Sequence, residues 1–124
     1  MREIKFDLLM KNRHTGDFHH KKYHISELMM GVERLFDFEN YVLEATRQYT
    51  GLKDKSGKEI FESDVIDSKY KLTVVYKNGS YWCVGLKDKS ERDLYAFLKM
   101  RDYAGCPVEI IGNISENKEL LEDV

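Results

Sequence analysis

Asparagine followed by glycine at positions 78 and 79, set between two runs of strand-forming residues, constrains the fold of this chain more than any other feature. Both residues tolerate positive φ, which a two-residue primed turn needs if its twist is to match that of the strands it joins. The flanks Leu72-Thr73-Val74-Val75 and Tyr81-Trp82-Cys83-Val84 are β-branched and aromatic, so they are expected to pair antiparallel. Tyr81 and Trp82 must then face opposite ways, and one of them should look outward unless something covers it.

The start of the chain is also built for a sheet. Ile4, Phe6 and Leu8 alternate with Glu3, Lys5 and Asp7, the period of a strand with one buried face, which predicts a strand over residues 2–10. Asn, Thr, Gly and Asp in residues 12–17 predict a hairpin loop returning into a strand over 18–25. Residues 26–31 read as a turn or one helical turn, capped by Ser26 and ended by Gly31. Residues 32–38 and 41–45 are two further β-rich runs, separated by Glu39 and Asn40. Residues 51–58 hold two glycines and four charges around a single apolar Leu52, so an exposed loop is expected there. That loop divides the chain into an N-terminal β-rich subdomain, 1–50, and a C-terminal one, 51–124.

In the second part Val65-Ile66 opens a strand. Ser90 with Glu91 and Asp93 resembles a helix cap, and Leu94, Phe97 and Leu98 recur at helical spacing, predicting a helix over about 91–101. Gly105 and Pro107 forbid its continuation. A last strand is expected over 108–114, with Val108, Ile110, Gly112 and Ile114 on one face, followed by a helical turn through Leu120-Leu121. The hexapeptide Gly-Leu-Lys-Asp-Lys-Ser occurs at 51–56 and again at 85–90. Its flanks do not repeat, which favours two similar turns over a duplicated unit.

Three segments resemble the YopX family, small proteins of phage and prophage genomes. They are the opening Met1-Arg2-Glu3-Ile4-Lys5-Phe6, the central Gln48-Tyr49-Thr50-Gly51-Leu52-Lys53-Asp54-Lys55-Ser56-Gly57-Lys58-Glu59-Ile60-Phe61-Glu62-Ser63-Asp64-Val65-Ile66, and the closing Val108-Glu109-Ile110-Ile111-Gly112-Asn113-Ile114 with Glu116-Asn117 and Leu120-Leu121. Two departures stand out: Asp7-Leu8-Leu9-Met10 replaces an Arg-Ala-Trp-like run, and Ser63 stands where the family pattern has Gly. The resemblance implies phage or prophage origin. Together with the hairpin and cap signals, it implies an α+β, mostly β fold: an N-terminal antiparallel sheet, then a small, partly open β-barrel of the Src-homology type with one helix.

At 124 residues, with 42% hydrophobic and 34% charged residues, the chain fits one soluble domain or two small ones sharing a core. A core this modest leaves apolar surface to bury between subunits, so a homo-oligomer is expected. No apolar run approaches the ~20 residues of a transmembrane helix. Charges at Arg2, Glu3, Lys5 and Asp7 leave no signal-peptide segment, so the expected location is the cytoplasm of a bacterial host. Cys83 and Cys106 are accordingly expected as reduced thiols.

Motifs for chemistry are weak. Five residues separate Gly51 from Gly57, and Glu59 follows Lys58, whereas a P-loop needs four and a hydroxyl residue. His14, His19, His20 and His24 cluster in sequence, but His19 and His20 must point to opposite faces of a strand, and no CxxC or HExxH supplies further metal ligands. Their charging near pH 6 would instead make subunit contacts pH-sensitive. Glu59, Glu62, Asp64 and Asp67 crowd one segment without a nucleophile motif beside them. No catalytic residue, metal or cofactor is therefore expected.

Charge is uneven despite a net value of −2. Residues 11–24 are basic and the tail from Ser115 is acidic. The candidate interaction surface comprises Lys11, Arg13, Phe18, Lys21, Lys22 and Tyr23 of the basic hairpin, with Tyr81 and Trp82. The expected function is that of a non-enzymatic protein-interaction or self-assembling module, with an unidentified protein partner in host or phage. Nucleic-acid binding by the hairpin over 11–24 is the alternative, disfavoured by a pI near 6.1.

Overall fold

The structure, a computed structural model, describes residues 4–31, 37–67 and 69–122. It comprises two compact units, residues 1–49 and 50–124. Most of the strand expected over 32–38 lies outside the described residues.

The first unit is built on an antiparallel hairpin. Strand β1 (Lys5–Asn12) pairs with β2 (Phe18–His24), placing Lys5 opposite His24 and Lys11 opposite Phe18. The loop between them is closed by Asn12, whose Oδ1 accepts from the amides of His14 (2.8 Å) and Thr15 (3.0 Å). Helix α1 (Ile25–Leu28) follows directly. Its start is held by Glu27, whose carboxylate accepts from the His24 amide at 2.9 Å, so the expected Ser26 cap is displaced by two positions. Strand β3 (Tyr41–Lys53) pairs antiparallel with β1 from Asn12 opposite Tyr41 to Phe6 opposite Gln48, with a bulge at Leu9/Met10. Leu8 and Met10 form a buried apolar cluster on which Tyr23, Leu28 and Tyr41 pack.

β3 is far longer than the run expected over 41–45, and it passes through Gly51 to Lys53. The expected loop over 51–58 is therefore shortened to residues 54–58. Gly51, at φ 88°, takes a turn-like conformation without ending the strand, and Leu52 packs on the core of the second unit. Asp54 is buried: Oδ1 accepts from the amides of Ser56 and Lys58 (both 2.9 Å), and Oδ2 from that of Ile110 (3.0 Å). A carboxylate in a charged stretch is thus a structural tie.

In the second unit β4 (Glu59–Phe61) neighbours the end of β3. Strands β5 (Asp64–Ile66), β6 (Leu72–Lys77), β7 (Ser80–Gly85), β8 (Glu91–Asp93) and β9 (Ile110–Asn113) form a sheet in the order β8-β7-β6-β5-β9. The order does not close on itself, giving the partly open, mostly β fold. Lys77 pairs with Ser80 across Asn78 (φ 52°) and Gly79 (φ 79°), the primed hairpin that this dipeptide demands.

Helix α2 (Leu94–Tyr103) begins three residues later than the expected residue 91. Residues Glu91–Asp93 are drawn into pairing with β7 instead, and the cap is Asp93, whose Oδ2 accepts from the Ala96 amide at 2.9 Å. Leu94, Phe97 and Leu98 are the buried side of the helix, packed with Ile60, Ile66, Leu72, Val74, Tyr81, Cys83, Val108 and Ile110. A bulge in the β5–β9 pairing reverses the expected facing at the last strand: Asn113 is buried, and Gly112 only half-buried. The Asn113 carboxamide then closes the following turn by accepting from the amides of Ser115 and Glu116. Helix α3 (Glu119–Glu122) is a single turn.

The two copies of the hexapeptide fold alike at one point only. Asp54 accepts from the Ser56 amide at 2.9 Å, and Asp88 from that of Ser90 at 3.0 Å. The first copy otherwise ends a strand into a buried tie, and the second forms an exposed turn. Identical residues give the same local turn and different burial. Among the described residues no helix is long and apolar enough to cross a membrane.

Candidate functional site

Of the eight residues of the expected interaction surface, six lie in the hairpin of the first unit and two in the second. Lys11 places its ammonium 5.6 Å from the Phe18 ring, and the Arg13 Nε donates to the Phe38 carbonyl at 3.2 Å. Lys21 and Lys22 are exposed on successive positions of β2 and so face opposite ways. Tyr23 packs on the Leu8 and Met10 cluster and serves as core. Tyr81 is buried against the edge of the Tyr76 ring at 4.9 Å, while half-buried Trp82 donates from Nε1 to the Lys77 carbonyl and lies under its ammonium. The outward aromatic at this hairpin is Tyr76, 48% exposed.

The histidines are dispersed by their environments. His14 sits in the loop, His19 meets the Tyr41 ring edge-on at 5.3 Å, and His24 precedes α1. His20 is drawn onto Asp7, with Nδ1 2.7 Å from Oδ2. Arg47 Nη2 donates to the same oxygen at 2.6 Å. Burial pushes the Asp7 carboxyl upward, but the hydrogen bonds from His20 and Arg47 and the charge of Arg47 outweigh it and hold the group below its ordinary value.

The acidic segment is likewise committed to structure. Asp64 Oδ2 accepts from the Phe61 amide at 2.8 Å across the β4–β5 turn. Asp67 Oδ2 accepts from Arg101 Nη1 at 2.8 Å, and this hydrogen bond raises the arginine pKa against the opposing effect of burial. Cys83 is buried, and burial pushes its thiol up to about 11, whereas Cys106 is exposed. Among the described residues no group of three or more His, Cys, Asp or Glu side chains could hold a metal ion.

What sequence reasoning missed is a cleft of about 670 Å³ in the second unit, formed where residues 69–72, the turn after β7 and the far end of α2 come together. Its apolar part is Leu72, Phe97 and Met100, and its polar lining includes Lys69, Lys87, Arg92, Arg101, Asp88 and Ser90. Both guanidinium groups lie over the Phe97 ring, Arg101 at 5.6 Å and Arg92 at 6.0 Å from its centroid. Arg92 Nη1 also donates to the Ser90 Oγ at 3.2 Å, and that hydroxyl donates to Asp88 at 2.9 Å. The only signal in the sequence was a scatter of cations at 69, 87, 92 and 101, which becomes a cluster only when the strands and helix are assembled.

Comparison with known proteins bears on the fold and the lineage. The chain is similar to a solved structure, protein EF1440 from Enterococcus faecalis, at 20% identity and a TM-score of 0.52, over 98% of this chain and 99% of the other. At that identity the likeness speaks for the fold alone. No curated protein matches the chain. The family model described as YopX protein matches residues 4–122, nearly the whole chain. The Gln48-to-Ile66 segment that carried the sequence resemblance lies wholly within that match, and the chain belongs to the YopX family.

Proposed function

We propose that this YopX-family chain is a non-enzymatic interaction module that associates with a second copy of itself, acting in the cytoplasm of a phage-bearing bacterial host. The observation that carries the reading is the outer side of α2. Tyr95 and Tyr103 are exposed there, the latter at 96%. Tyrosine is enriched where proteins meet, and large apolar side chains left in water are otherwise unfavourable. The same side carries Lys99, 5.4 Å over the Tyr95 ring, and exposed Asp102 one turn away. A stripe with one charge of each sign beside aromatic rings is self-complementary under two-fold symmetry, since each lysine can meet the partner copy's aspartate. The non-enzymatic part of the reading is supported by the acids Asp7, Asp54, Asp64 and Asp67, all buried and engaged with backbone amides or cations.

Sedimentation velocity across a range of concentrations tests it. The wild-type chain is expected to dimerise, and a Tyr95→Ser/Tyr103→Ser variant to stay monomeric with an unchanged circular dichroism spectrum. A wild-type monomer at every concentration would overturn the reading.

A second reading, nucleic-acid binding, is favoured by one observation: β2 is an edge strand that exposes His19, Lys21, Lys22 and His24, beside the Lys11 and Phe18 pair. Retention on a single-stranded DNA column that fades as salt rises, and is lost in Lys21→Glu/Lys22→Glu, is the expected sign.

A further inference from the structure

We propose that the cleft beside α2 in the second unit is a binding site for a phosphorylated nucleoside, a ligand with an anionic head and a flat aromatic body. Its volume, about 670 Å³, falls in the range of small-molecule sites, roughly 300–1,000 Å³.

Charge selects the head. Among the described residues, four cations from separate stretches of chain, Lys69, Lys87, Arg92 and Arg101, line a cleft whose one lining carboxylate is Asp88. Arg101 is neutralised by Asp67, and Asp88 is held by the amide and hydroxyl of Ser90. Lys69, Lys87 and Arg92 remain in excess. The neighbouring Lys89 differs, because its ammonium is taken by the Leu86 carbonyl at 2.8 Å. Lys87 has no such partner among the described residues. Like charges converging on a partly apolar cavity focus a positive potential that an entering anion relieves. Arg92 presents a planar guanidinium suited to a phosphate.

The lining also selects the body. Leu72, Phe97 and Met100 form apolar wall, and Tyr70 stands at the rim, 59% exposed, with the Lys69 ammonium 5.2 Å from its ring centroid. A base stacked on Tyr70 would place its phosphate among Lys69, Lys87 and Arg92, the combination of ring and cation that nucleotides favour. An acidic peptide satisfies the cations without using the ring. The proposal concerns binding only and is independent of self-association through the outer side of α2.

The test is titration of the ¹⁵N-labelled full chain with adenosine monophosphate, inorganic phosphate, adenosine, a short oligothymidylate and an oligoglutamate peptide. Adenosine monophosphate or the oligonucleotide is expected to shift amide signals of residues 69–72, 85–92 and 97–106, and to bind at least about tenfold more tightly than phosphate or adenosine alone. Which of the two binds more tightly tells a free mononucleotide from a strand. Lys87→Glu/Arg92→Glu, both exposed, and separately Tyr70→Ala, are each expected to weaken binding about tenfold or more while the remaining spectrum is preserved. No shift at these residues with either nucleotide probe, equal binding of phosphate alone, or a response to the peptide only would overturn the proposal.

Discussion

Arg47 donates from Nη2 to Asp7 Oδ2 at 2.6 Å from the position directly opposite it on the adjoining strand, with both side chains withdrawn from water. The same oxygen accepts from His20 Nδ1 at 2.7 Å, and the other oxygen, Oδ1, is buried without a hydrogen-bond partner among the described residues. The first of the sequence's two departures from its family pattern thus falls on the buried charge of the first unit.

Removing one member of this pair is expected to be costly. Asp7→Ala leaves the Arg47 guanidinium buried without its carboxylate, which should lower stability by about 3–5 kcal/mol. Replacing both, as Asp7→Leu/Arg47→Met, should restore much of the loss, because a buried ion pair gains little over well-packed apolar groups. Urea unfolding of the three proteins checks this; equal losses in the single and double variants would contradict it.

The same pair predicts an acid limit. The carboxyl of Asp7 is held below its ordinary value of 3.8, so its contribution is complete above that value and is lost as pH falls through the lower, folded value. Urea midpoints measured from about pH 6 down to about pH 2.5 should fall more steeply for wild type than for Asp7→Leu/Arg47→Met. Parallel curves would remove Asp7 as the cause.

Ser63, the second departure, occupies φ 68° between β4 and β5, in the left-handed region that glycine takes without strain. Its hydroxyl is buried with no hydrogen-bond partner among the described residues, although its amide and carbonyl are both bonded, to Val74 and Ile114. Ser63→Gly relieves about 1–2 kcal/mol of backbone strain against about 0.5–1 kcal/mol of added chain entropy. A net gain of about 1 kcal/mol and a raised thermal midpoint are expected. A lower midpoint would show that the serine supplies something the backbone conformation does not reveal.

The repeated hexapeptide offers an internal control. Asp54→Ala should cost about 2–4 kcal/mol, because three amides lose their acceptor and that of Ile110 is buried. Asp88→Ala removes a similar local bond at an exposed turn, where water replaces it, and should cost far less. Thermal melts of the two variants decide; equal losses would mean that the local turn, and not its burial, carries the stability.

Sequence reasoning reached the elements whose cause is local. The Asn78-Gly79 turn follows from two residues' freedom at positive φ. The opening strand forms where expected, but both of its faces are buried from Asp7 to Met10 and Ile4 is exposed, so the one buried face that its alternation predicts is not what the sheet gives. It failed where a neighbour overrode the local signal. Glu91 and Asp93 carry a helix-start pattern, yet β7 offers residues 91–93 a strand to pair with, so the helix waits until Leu94. Gly51 reads as a loop, yet β3 continues through it because Leu52 has a core to pack on.

By itself, then, the sequence determined that this protein would be a sheet-built member of its family, turning at residues 78 and 79 and carrying one amphipathic helix, because backbone conformation and side-chain period act over a few residues. Only the tertiary structure decided which charges matter. Asp7 meets Arg47 across 40 positions, Asp67 meets Arg101 across 34, and the amide of Ile110 meets Asp54 across 56. Coulomb attraction and desolvation depend on distance in space and exclusion of water, and neither is encoded in the spacing of residues along a chain.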